Sequence, residues 1–419
     1  MPSRLSLALT TAALCFTTPV VADVNSGAYL AARQAGIQGD YTAAAQYFRS
    51  ALLSDANNLN LMEQTITAFV GTGQMQSAAG IARPFIDAGG DSQIASIALM
   101  AQATRTQDWD AIFTNLEAGH EVGPLIDGLA QAWAYVGKGQ MARALMSFDE
   151  VIDTPGLRAF GQHHKALALA MNGDLAEASA IYDLAPNIGV PPTRATVIAH
   201  LQILCQLGKF ERAGDLIIRA FGTDNTPEIA AFRNAIEAGE IPPLDGVIST
   251  PAQGISYAFK GLSDILQGEA NESYLLLYAQ AARYTSPQDA EAQIATARLL
   301  NALGQYDEAA QTFAQVATTD PAFHSAEFGR AEALRLAGRF EQAIEVLNQL
   351  TRSHPELPQS LAVLGDIHRE QGNFEDARTA YDAALTGYGE VAPIRWWLLY
   401  SRGMVNERLD AWPEAEADF

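Results

Sequence analysis

Residues 304–313 read GQYDEAAQTF, and the pattern returns as GRFEQAIEVL at 338–347 and GNFEDARTAY at 372–381. Each copy has a Gly, a polar residue, an aromatic, two polar residues, an Ala, and a bulky apolar residue four positions on. The alanines Ala309, Ala343 and Ala377 are 34 residues apart. A second small residue (Ala297, Ala331, Gly365) lies twelve before each, and Pro321 and Pro355 lie twelve after the first two. Small residues at both points let two helices cross closely, the Gly ends the first helix, and the Pro ends the second. The aromatic after the turn (Tyr306, Phe340, Phe374) fills the gap between the hairpin and its neighbour. One such hairpin cannot bury its apolar face alone, so the units must stack.

The grid extends backwards. GDYTAAAQYFRSAL, GQMQSAAGIA, GQMARALMSF, GDLAEASAIY and GKFERAGDLI place the equivalent alanine at Ala44, Ala78, Ala144, Ala178 and Ala213. DWDAIFTNL puts Ile112 there, a poorer match, and the final stretch restarts the pattern with Gly403 and Ala415. These residues at this spacing resemble the tetratricopeptide repeat family over nearly all of the chain. The resemblance implies an all-α, right-handed solenoid of about ten helix-turn-helix units plus a partial one. Between Phe221 and Tyr257 the grid breaks. A short helix is expected near 227–238, with Thr226 as cap and Pro227 at its first position. Gly239, Pro242, Pro243, Gly246, Pro251 and Gly254 then mark a long loop. The expected division is an N-terminal array at 25–222, an irregular linker at 223–255, and a C-terminal array at 256–419 with its last repeat incomplete. The interruption reads either as a hinge or as a repeat that lost its second helix. Phe419 falls in mid-pattern, which reads as a truncated chain or as a stop completed by another subunit.

The first 22 residues read as a cleavable signal peptide. Arg4 is the basic region, 5–16 is apolar, and Val20-Val21-Ala22 precedes the expected cleavage point. The run is too short to span a bilayer, which takes about 20 apolar residues, and no later segment is apolar enough. This predicts a periplasmic or secreted protein without an integral membrane segment. Cleavage would leave Cys205 without a partner, in an apolar helical run, as a core residue. The 419 residues carry 26 Lys and Arg against 48 Asp and Glu, a formal charge of −22. That balance argues against nucleic acid or an anionic lipid surface as partner.

Chemistry-bearing motifs are missing. VGKGQM and LGKFE are turns of the repeat and not phosphate loops, there is no G-x-S-x-G elbow, and His120-Glu121 lacks the second His of a zinc helix. Carboxylates beside the alanines (Glu308, Asp376, Glu414) belong to the solvated side of the second helix. No cofactor or metal is expected, and no catalytic residue is nominated. In tetratricopeptide repeats, the second, fifth, sixth, ninth, twelfth and thirteenth positions of the first helix line the concave groove. By that resemblance Trp133, Phe160, His163 and His164 form an aromatic and imidazole patch in the N-terminal groove. Arg298, Phe328, Arg335, Arg369, Trp397 and Tyr400 line the C-terminal groove, beside Glu332, Asp366 and Glu370, with which the arginines could simply pair. A carboxylate clamp of the kind some members carry is not supported by Lys260, Asp264, Ile294 and Arg298.

The expected function is therefore a non-catalytic scaffold of the cell envelope that binds a protein segment or helix in its concave groove. Two alternatives predict different things. A glycan- or small-ligand module requires Trp133, Phe160, His163 and His164 to converge on one concave pocket. The non-catalytic part of a larger enzyme requires a catalytic domain beyond Phe419.

Overall fold

A computed structural model describes residues 24–184, 193–222, 226–241, 248–355, 357–390 and 395–419. The signal-peptide reading at 1–22 lies outside the described residues. Among those described there are twenty-three helices and no named strand. They form consecutive antiparallel hairpins. The first six are α1 (Val24–Ile37) with α2 (Tyr41–Leu52), α3 (Leu59–Gly71) with α4 (Met75–Asp87), α5 (Gln93–Thr106) with α6 (Trp109–Glu117), α7 (Pro124–Gly137) with α8 (Met141–Asp153), α9 (Arg158–Asn172) with α10 (Leu175–Leu184), and α11 (Arg194–Gln206) with α12 (Phe210–Phe221). A single helix, α13 (Pro227–Ala238), follows. Five hairpins complete the chain: α14 (Pro251–Ile265) with α15 (Glu272–Thr285), α16 (Ala290–Ala302) with α17 (Tyr306–Phe313), α18 (Phe323–Leu336) with α19 (Phe340–Ser353), α20 (Gln359–Glu370) with α21 (Phe374–Tyr388), and α22 (Arg395–Arg408) with α23 (Trp412–Asp418). The architecture is an all-α solenoid of ten full hairpins, an eleventh with a short second helix, and one unpaired helix.

The local reasons are those of the repeat. Gly304, Gly338 and Gly372 turn the chain at φ of 75°, 74° and 78°, where a side chain would be strained. Asp40, Asn58, Asp108 and Asn271 cap the helices that follow them, each side chain accepting a backbone N–H. Ala44, Ala78, Ala144, Ala178, Ala213, Ala309, Ala343, Ala377 and Ala415 all lie at helix crossings, none more than 3% exposed. Ile112, the poor match, is buried as well. At Gly365 an added Cβ would stand 2.6 Å from the Tyr381 ring, so the small residue of the first helix is set by this close approach.

Two boundaries differ from expectation. The C-terminal array starts at Pro251 and not at 256, because Thr250 and Gln253 form a reciprocal capping box and Pro251 occupies the first turn. The linker is also less irregular than its composition suggests. Ile229 and Phe232 of α13 are buried in a small core with Leu201, Cys205 and Ile217 from α11 and α12. Cys205 is fully buried, and burial raises its thiol pKa.

At the far end, Arg402 of α22 holds Asp418 through Nε at 2.9 Å and again through Nη2, and Asn406 Nδ2 adds a bond of 3.0 Å. Asp418→Ala should lower stability by about 2 kcal/mol, since Arg402 keeps Asp382 and partial solvent access. Urea unfolding monitored by circular dichroism measures this, and an unchanged midpoint would show that α23 is not tied down by this pair.

Candidate interaction surfaces

By the resemblance, the first helix of each hairpin is the one that lines the concave side. In the N-terminal array that side is not empty. Helix α14 packs along α7 and touches α9, and α15 crosses α3 and α5. The reason lies in the sequence of α15: residues 275–282, LLLYAQAA, are buried without a break. A helix apolar all round cannot face water on any side and must be surrounded. Polar groups fix its register. Gln280 Nε2 donates to the Gly71 carbonyl at 3.0 Å, Tyr284 Oη to Gln102 Oε1 at 2.6 Å, and Tyr274 Oη to Gln93 Oε1 at 3.0 Å. Tyr41 Oη reaches the Ser273 carbonyl at 3.3 Å, and Gln305 Nε2 donates to the Gly39 carbonyl. One apolar core thereby runs from Ala32 through Ala380. The two expected arrays are a single packed body over this region.

This closes the N-terminal patch. Trp133 is 0% exposed, edge-on to Phe148, and a Cβ at Gly254 of α14 would stand 2.2 Å from its indole. Trp133 Nε1 donates to His164 Nδ1 at 2.9 Å, so the imidazole proton of His164 sits on Nε2. His163 Nδ1 meets Tyr182 Oη at 2.8 Å and its Nε2 meets Tyr257 Oη at 3.3 Å. Tyr257 comes from α14 and also lies against the His164 ring. Burial pushes His163 down to about 4, and burial first, then the neighbouring His163, pushes His164 well below its ordinary value. Phe160 is half-buried against the same core. Trp133, His163 and His164 come together, but as a buried packed cluster. The expectation of an open groove is corrected: Gly254 and Tyr257 of the chain itself fill it.

The second groove is charged and open in part. Arg335 forks onto Glu332, through Nε at 2.8 Å and Nη2 at 2.6 Å, and reaches Glu370 on the next repeat at 2.8 Å. Arg369 lies 3.4 Å from Asp366, whose Oδ1 accepts the Tyr381 hydroxyl at 2.7 Å. Burial raises the Asp366 carboxyl, with the hydroxyl and Arg369 pulling the other way. Arg335 and Arg369 are thus structural cations, paired within the fold. Phe328 and Trp397 are half-buried against core residues. Arg298 is exposed and Tyr400 is 51% exposed. Lys260 pairs with Asp264 at 2.8 Å. Among the described residues no three His, Cys, Asp or Glu side chains converge on a metal position, and no helix is long and apolar enough to cross a membrane.

The sequence marks Gly254 only as part of a loop and Tyr257 only as a boundary, and it gives Tyr182 and Gln280 no role. The signal available was the run 275–282, apolar but for Gln280 and so too apolar for a helix with one solvated face.

The tetratricopeptide repeat family model matches four overlapping stretches, 275–323, 302–360, 328–392 and 362–419. No curated protein matches the chain. Among solved structures, MamA (residues 41 to the end) from Desulfovibrio magneticus RS-1 aligns at 19% identity and a TM-score of 0.34, covering 39% of this chain and 90% of its own. The Cut9–Hcn1 hetero-tetramer of the APC/C aligns at 15% identity and a TM-score of 0.32, covering 94% of this chain and 86% of that one. The stretch 275–419 thus carries tetratricopeptide repeats, and the same hairpin grid runs back to α1.

Proposed function

We propose that this protein is a non-catalytic interaction scaffold whose partner is taken on the concave face of α16, α18, α20 and α22. The supporting observation is the occupancy of the other groove: α14 and α15 consume the concave face of α3 to α9, which leaves the C-terminal first helices as the open inner surface. Arg298 and Tyr400 are its accessible anchors, while Arg335 and Arg369 hold the walls in place through Glu332, Glu370 and Asp366. Arg and aromatic side chains are the usual energetic anchors of protein interfaces. An extended segment with an acidic group for Arg298 and an apolar one for Tyr400 fits this surface.

Export to the envelope belongs to the same proposal, carried by Arg4, the apolar run and Ala22. Capture from an envelope extract tests both. Wild-type protein should retain a partner that an Arg298→Glu/Tyr400→Ala variant loses, with affinity falling roughly 30-fold for a true anchor pair. Equal capture by both forms would remove the C-terminal groove from consideration, and recovery of the protein only with the cytoplasmic fraction would remove the export reading.

A further inference from the structure

Lys165, Lys260, Arg330, Arg335, Arg369 and Arg402 are half-buried, and each holds a carboxylate of the chain. Arg283, in the last turn of α15, is half-buried too and among the described residues pairs with none. Its bonds go to neutral amides. Gln280 Oε1 accepts from Nε at 3.1 Å and from Nη2 at 2.9 Å, and Gln315 Oε1 accepts from Nη1 at 3.4 Å. Burial lowers its pKa, with no neighbouring anion to counter the shift. A guanidinium withdrawn from water without a counter-charge costs stability.

The surroundings are free of acid. Residues 71–80, 273–288 and 309–319, which carry Arg283 and the groups it touches, contain no Asp or Glu, in a chain with 48 of them. The charge that bears on Tyr284, the neighbour of Arg283, is Arg105 of α5, a second cation. The net charge of −22 opposes anions at long range, but salt screens it beyond about 8–10 Å.

The guanidinium is also held in place. Gln280 is 2% exposed and its Nε2 is fixed on the Gly71 carbonyl, so it clamps one edge of Arg283. Gly73, at the α3–α4 turn, lies against Nη2, which a Cβ there would meet at 2.6 Å. Gln315 is exposed, so the Nη1 side is the one that opens to solvent. Of the five N–H donors of a guanidinium, the bonds to Gln280 and Gln315 leave two. Fixed beforehand, these lose little freedom when an acceptor arrives.

Two oxygens on one planar group match two N–H donors, and a single negative charge matches a single guanidinium. We infer that Arg283, propped by Gln280 and Gly73, is a receiving site for a carboxylate from outside the chain, brought by a free small acid or by an acidic side chain of a partner segment. The site belongs to α15 and the α3–α4 turn and does not rest on the groove of α16 to α22.

The probe is sodium acetate, against sodium chloride at equal ionic strength, with the side-chain N–H signals of isotope-labelled arginines followed by NMR. The Arg283 signal, identified by its absence in Arg283→Lys, should move saturably with acetate in the range of tens of millimolar and stay still with chloride. Arg335, closed by Glu332 and Glu370, should not respond. Gln315→Glu puts a carboxylate of the chain beside Nη1. Its side chain is exposed, so the variant should fold, lose the acetate response and unfold at a higher urea concentration than wild type. Arg298→Glu should leave the response intact, which separates this site from the groove. A blocked peptide Ala-Ala-Glu-Ala-Ala distinguishes the sources: binding about tenfold tighter than acetate assigns the site to a partner segment, and equal binding assigns it to a free acid. Three results would overturn the assignment: acetate and chloride moving Arg283 alike, Arg283 responding no more than Arg335, or a full acetate response in Gln315→Glu.

Discussion

Truncating Trp133 to alanine should destabilise the protein by about 4 kcal/mol, the scale for removing a fully buried indole. The side chain is enclosed by Phe148 of its own hairpin, by His164, and by α14 at Gly254. Its loss opens a cavity between two segments over 100 residues apart and leaves His164 Nδ1 without its donor. The reciprocal change, Gly254→Val, should cost about 3 kcal/mol, because the first added carbon already falls 2.2 Å from the indole. Combined, the two changes should cost less than their sum, as the valine enters the space the indole vacates. Urea unfolding of the four proteins gives this cycle, and near-ultraviolet circular dichroism reports on the tryptophan environment. Additivity within about 0.5 kcal/mol would mean that α14 does not pack on α7, and the filled groove would fall with it.

That packing marks the limit of what a repeat can disclose. The 34-residue grid is a local property. Gly304, Gly338 and Gly372 end helices, and Ala309, Ala343 and Ala377 permit close crossings, wherever the superhelix goes. Reading them yields the hairpins and the inner and outer faces. On that grid the histidines at 163 and 164 read as concave-side residues. Their partner Tyr257 lies 94 residues on, and only the accumulated curvature of several repeats brings it there. The apolar run 275–282 announces a helix surrounded on every side but not by what. Charge pairing has the same character: Arg335 and Glu370 meet because 35 residues is one repeat plus one position, whereas Arg402 and Asp418 meet because the last hairpin folds back on itself.

Acidification should loosen the closed groove well before general acid unfolding. His163 titrates near 4 in the folded protein and near 6.5 when unfolded. A base whose folded value is depressed leaves the unfolded chain binding more protons below 6.5, so stability is complete above that pH and falls as pH drops toward 4. His163 alone accounts for about 3 kcal/mol over the whole window, and about 2 kcal/mol of it by pH 5. His164 acts in the same direction, and for a geometric reason besides burial. A proton on its Nδ1 would face the Trp133 N–H, two donors in one bond. The groups facing the pair from other helices are the hydroxyls of Tyr182 on α10 and Tyr257 on α14, with Lys260 beyond the Tyr257 ring and already paired with Asp264. No carboxylate touches either imidazole to hold a proton there among the described contacts. His200, stacked on Tyr182, is also lowered to about 4, by burial first, with Asp183 opposing. Asp127, Asp289 and Asp366 are raised by burial and favour the folded state as they protonate, so their effect opposes that of the imidazoles. The window to measure is pH 6.5 to 5, where the unfolded imidazoles take up their protons. Urea midpoints should fall steadily across it, and His163→Gln, which keeps a hydrogen-bonding side chain that cannot titrate, should be less stable at pH 7.5 yet show a shallower slope. A flat midpoint from pH 6.5 to 5 in the wild type would mean that these imidazoles are not buried neutral between α7, α9 and α14.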